Sequence, residues 1–263
     1  MRVLFIGDII GKPGRLVVKE LLPGIIGQRD IDFVIANGEN SAGGFGINVD
    51  VAQALLSSGV DIITGGNHIW DRREIGNVFS EISRIIRPAN YPPSVRGKGS
   101  MVLEDRKGKK VAVLNLQGRT FMTPIDCPFR TADREVAELR KQTNLVIIDF
   151  HAEATSEKQA LAFYLDGRVG AIVGTHTHVQ SADEHIFPNK TGFITDVGMT
   201  GAYHSVIGME YPEAISRFLT GTPSRLKVAT KDVKLSAVIM EFDHRNGYCL
   251  SIERLRLNSN EAC

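Results

Sequence analysis

Short apolar runs rich in β-branched residues recur along the chain, and each run breaks into glycines or polar residues. Runs of this length are typical of buried strands. Between them lie segments whose apolar residues repeat at helical spacing, such as 48–58, where Asn48 can cap the first turn. This alternation of strands and helices predicts an α/β protein.

The same patterns give approximate bounds for the elements. We predict strands over 2–8, 32–36, 60–64, 101–105, 110–116, 145–150, 169–173, 192–198, 226–230, 234–242 and 248–257. We predict helices over 15–22, 48–58, 71–84, 131–142, 155–165 and 210–219, with Pro23 ending the first and Asp71 capping the third. Residues 101–116 form an antiparallel hairpin. The expected fold is therefore two packed mixed sheets flanked by helices, in one domain over residues 1–263.

Five of the predicted strands lead into residues that can bind metal. In an extended segment alternate side chains share a face, so we expect His176 and His178 to point to one spot. An isolated pair of this kind is more often two surface histidines on a loop, but four other apolar runs of this chain end in a similar way. Parallel strands bring their carboxyl ends to one edge of a sheet, where α/β proteins place their sites. The residues expected to meet there are Asp8, Glu39, Asn40, Asn67, His68, His151, His176 and His178.

Composition narrows the cellular setting. The formal net charge is +1 and 23% of residues are charged, which gives no support to a protein that coats nucleic acid. Cys127, Cys249 and Cys263 are widely spaced, as is typical of reduced thiols in a cytosolic protein. We interpret residues 1–8 as a strand rather than a signal peptide, and no apolar run reaches the ~20 residues of a membrane span. We therefore expect a cytoplasmic protein without a membrane partner.

The donor set indicates the chemistry. Carboxylates, amides and imidazoles without a thiolate favour iron, manganese or zinc over a structural zinc site. The donors exceed the needs of one ion. Two ions roughly 3.5–4 Å apart and bridged by a carboxylate hydrolyse phosphate esters, because they lower the pKa of a water that then attacks as a metal hydroxide.

The motifs around these residues resemble those of a known family. Gly-Asp8, Gly-Asn67-His68, the isolated His151 and Gly-Thr-His176-Thr-His178 resemble the motif series of calcineurin-like metallophosphoesterases. The runs 36–44, 65–71 and 195–201 are similar to the narrower YmdB-like branch. The resemblance spans nearly the whole chain and implies a four-layer metallophosphoesterase fold.

The resemblance also implies two ligand sets. One ion would be held by Asp8, Glu39, Asn40 and His178, and the second by Glu39, Asn67, His151 and His176. Two positions depart from the broad superfamily pattern: Ile10 stands where a histidine is usual, and Glu39 stands where the bridging residue is usually aspartate. The narrow branch is similar in both respects, with Asn40 in the place of the missing histidine.

The activity implied by the resemblance is a 2′,3′-cyclic-nucleotide phosphodiesterase that leaves a 3′-nucleotide. The ions would be iron, with manganese as the alternative. His68 directly follows a ligand, so it is expected to donate a proton to the leaving oxygen, or else to be a hydrogen-bonding neighbour of the ligands. The substrate would be a small cyclic nucleotide.

Several alternatives stay open at this point. A phosphomonoesterase or phosphoprotein phosphatase could use the same site, and a regulatory protein could bind a nucleotide or RNA with incidental turnover. The resemblance also implies self-association, although no residue of the sequence indicates a surface for it. Seven further residues have both a functional and a structural interpretation: Trp70, Arg72, Arg73, Cys127, Asp149, Asp196 and His204.

Overall fold

The computed structural model describes residues 1–259, and Cys263 lies outside the described residues. Two mixed sheets and six α-helices build this part of the chain. The strands are β1 Arg2–Ile6, β2 Asp8–Ile9, β3 Phe33–Asn37, β4 Ile62–Thr64, β5 Ser100–Glu104, β6 Lys110–Gln117, β7 Val146–His151, β8 Ala171–Thr175, β9 His185–Ile186, β10 Gly192–Ile194, β11 Met199–Ala202, β12 Val233–Asp243 and β13 Tyr248–Asn258. The helices are α1 Gly11–Gln28, α2 Val49–Ser57, α3 Ile75–Glu81, α4 Pro128–Leu139, α5 Thr155–Leu165 and α6 Tyr211–Thr220, with a 3₁₀ turn at Asn67–Trp70.

The strands divide between a seven-stranded and a six-stranded sheet. The first has the order β2-β11-β12-β1-β3-β4, with β13 paired to β12, and the second has the order β5-β6-β7-β8-β10-β9. In the first sheet β1, β3 and β4 are parallel neighbours. In the second, β6, β7, β8 and β10 are parallel neighbours. Both sheets also contain antiparallel pairs, which confirms the prediction of mixed sheets.

The alternation of side chains along the strands produces the layers. Val3 and Phe5 belong to the cluster between the two sheets, whereas Leu4 and Ile6 belong to the cluster that packs on α1. In the second sheet Val113 also faces the inter-sheet cluster, while alternate residues of β6 and β7 pack against α4 and α5. Each sheet thus buries one face on its partner and the other on helices. This arrangement confirms the expected pair of sheets flanked by helices.

The parallel strands also position the candidate site. The carboxyl ends of β1, β3 and β4 in one sheet and of β7 and β8 in the other all lead into residues that we predicted to meet. Asn37 at the end of β3 hydrogen-bonds Asp149 on β7, with 3.1 Å between Nδ2 and Oδ2, so the same edges of the two sheets are in contact there. The expected edge is therefore shared by two sheets rather than belonging to one.

Some predicted elements were wrong. The first helix begins at Gly11 and continues through Pro23 to Gln28, because Leu21, Leu22 and Ile25 remain buried on both sides of the proline. The third helix begins at Ile75 and not at Asp71, whose carboxylate instead contacts His68.

The β-strand predictions also contain errors. Residues 226–230 form only an isolated bridge from Val228 to Met209. The short strands β2, β9 and β11 were missed because two to four residues are too few to show a period.

Replacing Pro23 by Ala should stabilise the protein. Pro23 is exposed and has no N–H to donate within the helix, so Ala restores a helical hydrogen bond without removing core contacts. We expect the free energy of unfolding to rise by about 1–2 kcal/mol in urea titrations. Gly27→Ala, at an uncrowded position of the same helix, provides a reference gain of about 0.5–1 kcal/mol. A P23A variant no more stable than wild type would mean that the packing of α1 requires the proline.

Candidate metal centre

The structure brings all eight predicted residues to one place. Asp8 is the first residue of β2, and Glu39 and Asn40 follow β3. Asn67 and His68 open the 3₁₀ turn after β4, His151 ends β7, and His176 and His178 follow β8. Asp8, Glu39, Asn40 and His151 are buried, whereas Asn67, His68, His176 and His178 are partly exposed at the mouth.

Three acceptor atoms meet around one ring nitrogen of His151. Its Nε2 atom lies 3.1 Å from Glu39 Oε1, 2.9 Å from Asn67 Oδ1 and 3.0 Å from Nδ1 of His176. Ligand atoms of Glu39, His151 and His176 all lie within 4.8 Å of one another. A proton on one nitrogen can be shared with only one or two of these atoms, whereas a metal cation can contact them all. The donor set therefore fits a cation.

A hydroxyl and a buried carboxylate fix the tautomer of His151. The Thr175 hydroxyl donates to Asp149 Oδ1 at 2.7 Å, and its oxygen lies 2.9 Å from His151 Nδ1. Because the hydroxyl hydrogen is already used, Nδ1–H of His151 must be the donor to Thr175. Once Nε2 has lost its own proton, it can present a lone pair to the cluster, which is the form that binds metal.

Two further acceptors orient the other imidazoles. The backbone carbonyl of Ile207 lies 3.0 Å from Nδ1 of His178, so that nitrogen carries the hydrogen and Nε2 points inward. Glu153 Oε2 lies 3.0 Å from Nε2 of His176, which leaves Nδ1 of that ring facing His151. In each of the three rings, an acceptor outside the cluster holds the N–H and frees the other nitrogen.

The pKa values reflect this crowding of buried charges. Burial raises the pKa of Glu39, but the charge and hydrogen bond of His151 outweigh it and bring the pKa to about 2. Burial lowers the pKa of His151, but Glu39 and Asp8 outweigh it and raise the pKa to about 9. Burial and the neighbouring charge of His151 lower the pKa of His176 to about 3. Positive charge is thus strongly favoured at the His151–Glu39 contact and disfavoured on the adjacent ring.

Beside this cluster lies a second group of acceptors. The Oδ1 atoms of Asp8 and Asn40 are buried and accept no hydrogen bond among the residues described. Nε2 of His178 lies 3.9 Å from Asp8 Oδ1 and 3.4 Å from Asn40 Nδ2. Burial also raises the pKa of Asp8, against the opposing charges of His178 and His151. Leaving two buried oxygens unpaired is costly, and a second cation in contact with both would remove that cost.

The backbone of the His-x-His segment differs from the extended form that we predicted. His176 and His178 have φ angles of +106° and +65°, in the left-handed region that few non-glycine residues adopt. Thr177 turns away as expected, and its N–H and hydroxyl both donate to Asp196 Oδ2, at 3.0 and 2.9 Å. The two rings therefore converge through a tight turn rather than through strand alternation.

A buried ion pair holds that turn in place. Lys158 on α5 is fully buried, and its Nζ lies 2.8 Å from the same Oδ2 of Asp196. The other oxygen of Asp196 accepts the N–H of Gly198 at 2.8 Å. Asp196 thus holds Thr177 in place, and with it the backbone that positions His176 and His178. Removing either partner of such a pair would leave a buried charge unmatched.

His68 contacts the cluster through its backbone, not its ring. Its N–H donates to Glu39 Oε2 at 2.9 Å, while Nδ1 of the ring lies 2.8 Å from Asp71 Oδ2. Phe45 packs edge-on against the ring, with 5.2 Å between centroids. Asp71 accepts from Nδ1–H, so Nε2 is the atom available to a bound substrate. The ring is about one-third exposed, so a bound molecule could contact it.

Close packing explains one glycine of the site. Gly66 precedes the ligand turn, and a Cβ atom there would overlap both Glu39 Oε2 and the ring of His151. Only glycine lets the turn approach the cluster so closely.

The sequence left Arg72 and Trp70 with both a functional and a structural interpretation. For both residues the structure favours the structural one. Arg72 donates to the carbonyls of Ala42 and Phe45 and so holds the glycine-rich loop rather than a phosphate. Trp70 packs against Phe79 and Tyr91.

Four residues that orient or support the histidines of the centre were not predicted from the sequence, namely Thr175, Glu153, Lys158 and Ile207. Thr175 and Glu153 stand within two residues of predicted ligands, which is a usable signal. Lys158 and Ile207 have no such signal in the sequence.

Comparison with known proteins gives a consistent result. The family model described as "YmdB-like protein" matches residues 4–255. A 2′,3′-cyclic-nucleotide 2′-phosphodiesterase of Bacillus subtilis (strain 168) is 48% identical over 260 residues, covering 99% of this chain and 98% of that protein.

Two solved structures have closely similar folds. A hypothetical protein from Thermus thermophilus has a TM-score of 0.92 and 43% identity, covering 98% of this chain and 99% of that one. A protein from Mycoplasma pneumoniae, described as a novel phosphatase, has a TM-score of 0.91 and 35% identity, covering 98% of this chain and 93% of that one.

Replacing Thr175 by Val should weaken metal binding without unfolding the protein. The substitution conserves shape but removes the hydroxyl that fixes the His151 tautomer, so we expect the affinity for a divalent metal to fall roughly 10- to 100-fold. Titration with Mn²⁺ followed by calorimetry measures the change. Thr191→Val is a matched control, because Thr191 is equally buried but its hydroxyl donates to the Val169 carbonyl, away from the centre. Equal metal affinity in T175V and T191V would show that the Thr175 hydroxyl does not prepare His151 for metal binding.

Proposed function

The chain belongs to the family of YmdB-like proteins, and from this premise we propose that it is a metal-dependent phosphodiesterase that hydrolyses 2′,3′-cyclic nucleotides to 3′-nucleotides. The observation that carries the proposal is the meeting of three acceptor atoms around Nε2 of His151, beside two buried oxygens that lack partners among the described residues. The phosphodiesterase of Bacillus subtilis, 48% identical, supports the substrate class. None of the helices in residues 1–259 is long and apolar enough to cross a bilayer.

The residues present fit two metal ions. We assign Glu39, Asn67, His151 and His176 to one ion, and Asp8, Glu39, Asn40 and His178 to the other, with Glu39 shared. Carboxylate, amide and imidazole donors suit iron, and manganese is the alternative. When bound, such a pair supplies a water of lowered pKa and positive charge that stabilises the phosphoryl oxygens.

The protein's own groups carry the remaining steps. The rings of His151, His176 and His178 are held by Thr175, Glu153 and the Ile207 carbonyl, so the site needs little rearrangement when substrate arrives. His68 holds a proton at Nε2 while Asp71 accepts from Nδ1. Water adds to phosphorus and releases one proton to solvent, the bond to the 2′ oxygen breaks with its electron pair remaining on that oxygen, and His68 donates its proton there. The phosphate remains on the 3′ oxygen.

A second candidate function is hydrolysis of phosphomonoesters, because the related structure from Mycoplasma pneumoniae is described as a phosphatase. The two activities differ in their products. With 2′,3′-cyclic AMP, a phosphodiesterase stops at 3′-AMP, whereas a monoesterase would continue to adenosine and inorganic phosphate. Chromatography of the products after long incubation separates the two.

Replacing Glu39 by Gln should abolish phosphodiesterase activity and lower metal content. The amide keeps the shape but removes the negative charge that both ions share. We expect the activity to fall more than roughly 100-fold, with bound metal measured by mass spectrometry falling in parallel. Glu157→Gln is a control on a carboxylate outside the centre, which accepts from the Arg119 and Thr120 N–H groups. Full activity of E39Q on a generic phosphodiester would refute the shared role.

Replacing His68 by Ala should leave the metal bound but slow the reaction. We expect kcat on 2′,3′-cyclic AMP to fall roughly 10²- to 10⁴-fold, because the 2′ oxygen is a basic leaving group that needs a proton. On bis(p-nitrophenyl) phosphate, whose leaving group departs as an anion, the loss should be small. Asp71→Asn should reproduce the same pattern more weakly. Loss of metal from H68A would instead make His68 a ligand.

A further inference from the structure

A cleft of about 570 Å³ opens beside the metal centre. Its volume is in the range of small-molecule sites, roughly 300–1,000 Å³. Most of it is formed by the glycine-rich loop after β3, the turn before α6, and α6 with the segment behind it, and His68 and His178 complete it. Its walls away from the metal centre include Phe45, Val206, Ile207, Met209, Phe218 and Leu226.

The cleft is continuous with the proposed reaction site. Asn40 and His178 belong to one ion's ligand set, and His68 is the proposed proton donor, so these three residues mark its polar end. A substrate whose phosphate lies at the ions must place the rest of its body in the cleft. That remainder meets walls formed largely by apolar side chains, among them Phe45 and Phe218.

The wall residues are unusual in two ways. Phe218 is 83% exposed although it lies on the cleft side of α6. Ile207 has a φ angle of +46°, a strained conformation for a β-branched residue, and the residue is 54% exposed. Strained residues of this kind cluster at ligand sites, where the surrounding structure holds them. The carbonyl of Ile207 orients His178, so this strained turn belongs to both the cleft and the centre.

The chemistry of the walls selects the kind of ligand. Away from the polar end, Arg217 is the only described lining residue whose side chain can donate a hydrogen bond. Such walls can cover the faces of a flat aromatic group, but they offer little to read the hydrogen-bonding pattern of its edges. A nucleobase has large apolar faces, and every base has them.

We propose that this cleft is a nucleobase subsite that holds the base of a cyclic nucleotide by stacking and apolar contact, without selecting among bases. Phe218 is its outer wall and Phe45 its inner wall. The proposal rests on the proposed function, because the position of the phosphate at the metal centre determines where the base lies. Phe218 and Phe45 are therefore specificity-determining residues for nucleosides over simple cyclic phosphates.

The test compares a substrate with a base and one without. Adenosine 2′,3′-cyclic phosphate and methyl ribofuranoside 2′,3′-cyclic phosphate share the reacting ring. Wild type should show a kcat/KM that is higher for the adenosine ester by roughly fivefold or more. Phe218→Ala should remove most of that preference and leave the base-free ester unchanged, whereas Phe218→Trp should retain it.

Leu219→Ala is the matched control. Leu219 follows Phe218 on α6 and is 81% exposed, but it does not line the cleft. Its substitution should leave both kcat/KM values and the metal content unchanged. If F218A slows both esters equally or neither, or if L219A has the same effect as F218A, the subsite is refuted.

Binding of 3′-AMP, the expected product, gives a readout that does not need turnover. Calorimetry should show that metal-loaded wild type binds 3′-AMP more tightly than methyl ribofuranoside 3-phosphate, and that F218A binds both equally. If wild type cleaves neither cyclic ester yet retains this binding preference, the proposed function fails and the subsite stands. Equal binding of the two phosphates by wild type would overturn the subsite.

A panel of the four common bases tests the absence of edge reading. The kcat/KM values for the adenine, guanine, cytosine and uracil esters should lie within roughly tenfold of one another, with purines favoured because they stack over more area. A preference above roughly 100-fold for one base would require hydrogen bonds to its edge, and would contradict a subsite that reads only faces.

Discussion

The site is governed by the cost of burying acceptor atoms without partners. Oxygen and nitrogen lone pairs from both sheets point at one small volume, and the fold supplies few donors to meet them. Leaving such atoms unpaired is expensive, and protonating one imidazole satisfies only part of the set. Cations in contact with these atoms would satisfy more of them than one added proton does. The proposed ligands all lie at or next to strand ends, where the backbone can turn a side chain inward without interrupting a sheet.

Hydrogen bonds to one buried carboxylate link the two sheets beside the candidate centre. Asp149 on β7 accepts from Thr175 in its own sheet and from Asn37 and Thr64 in the other. Burial raises the pKa of Asp149 to about 7, against the charge of His151 and the two hydroxyls, so its hydrogen bonds decide whether it remains an acceptor. Through Thr175 it fixes the ring of His151. Asp149 therefore both links the two sheets and, through Thr175, orients His151.

The sequence was informative where local patterns determine the structure. The helix at Thr155–Leu165 has the predicted bounds, and Asn48 caps α2 through the Val51 N–H at 2.9 Å. The pattern of strand ends identified the residues that meet at the centre, whereas their division between two ions came only from the resemblance to the YmdB-like family. Pro23 shows the limit of local rules, since the buried residues around it keep the helix intact. Asp71 is of a residue type that often caps helices, but its carboxylate contacts His68 instead. Such outcomes depend on tertiary contacts that no local window contains.

The residues hardest to predict are those that act through a neighbour. Lys158 lies on a helix whose sequence indicates an ordinary solvated start, yet its side chain is fully buried against Asp196 and so supports the turn between His176 and His178. Ile207 is an apolar residue in the turn before α6, and its contribution to the centre is its backbone carbonyl, which its residue type does not indicate. Its left-handed backbone directs the carbonyl to His178 and the side chain to the cleft. Because one strained residue does both, the cleft cannot be reshaped at that turn without disturbing a ligand. Variation in the cleft is easier at α6, where Phe218 orients none of the ligands described above.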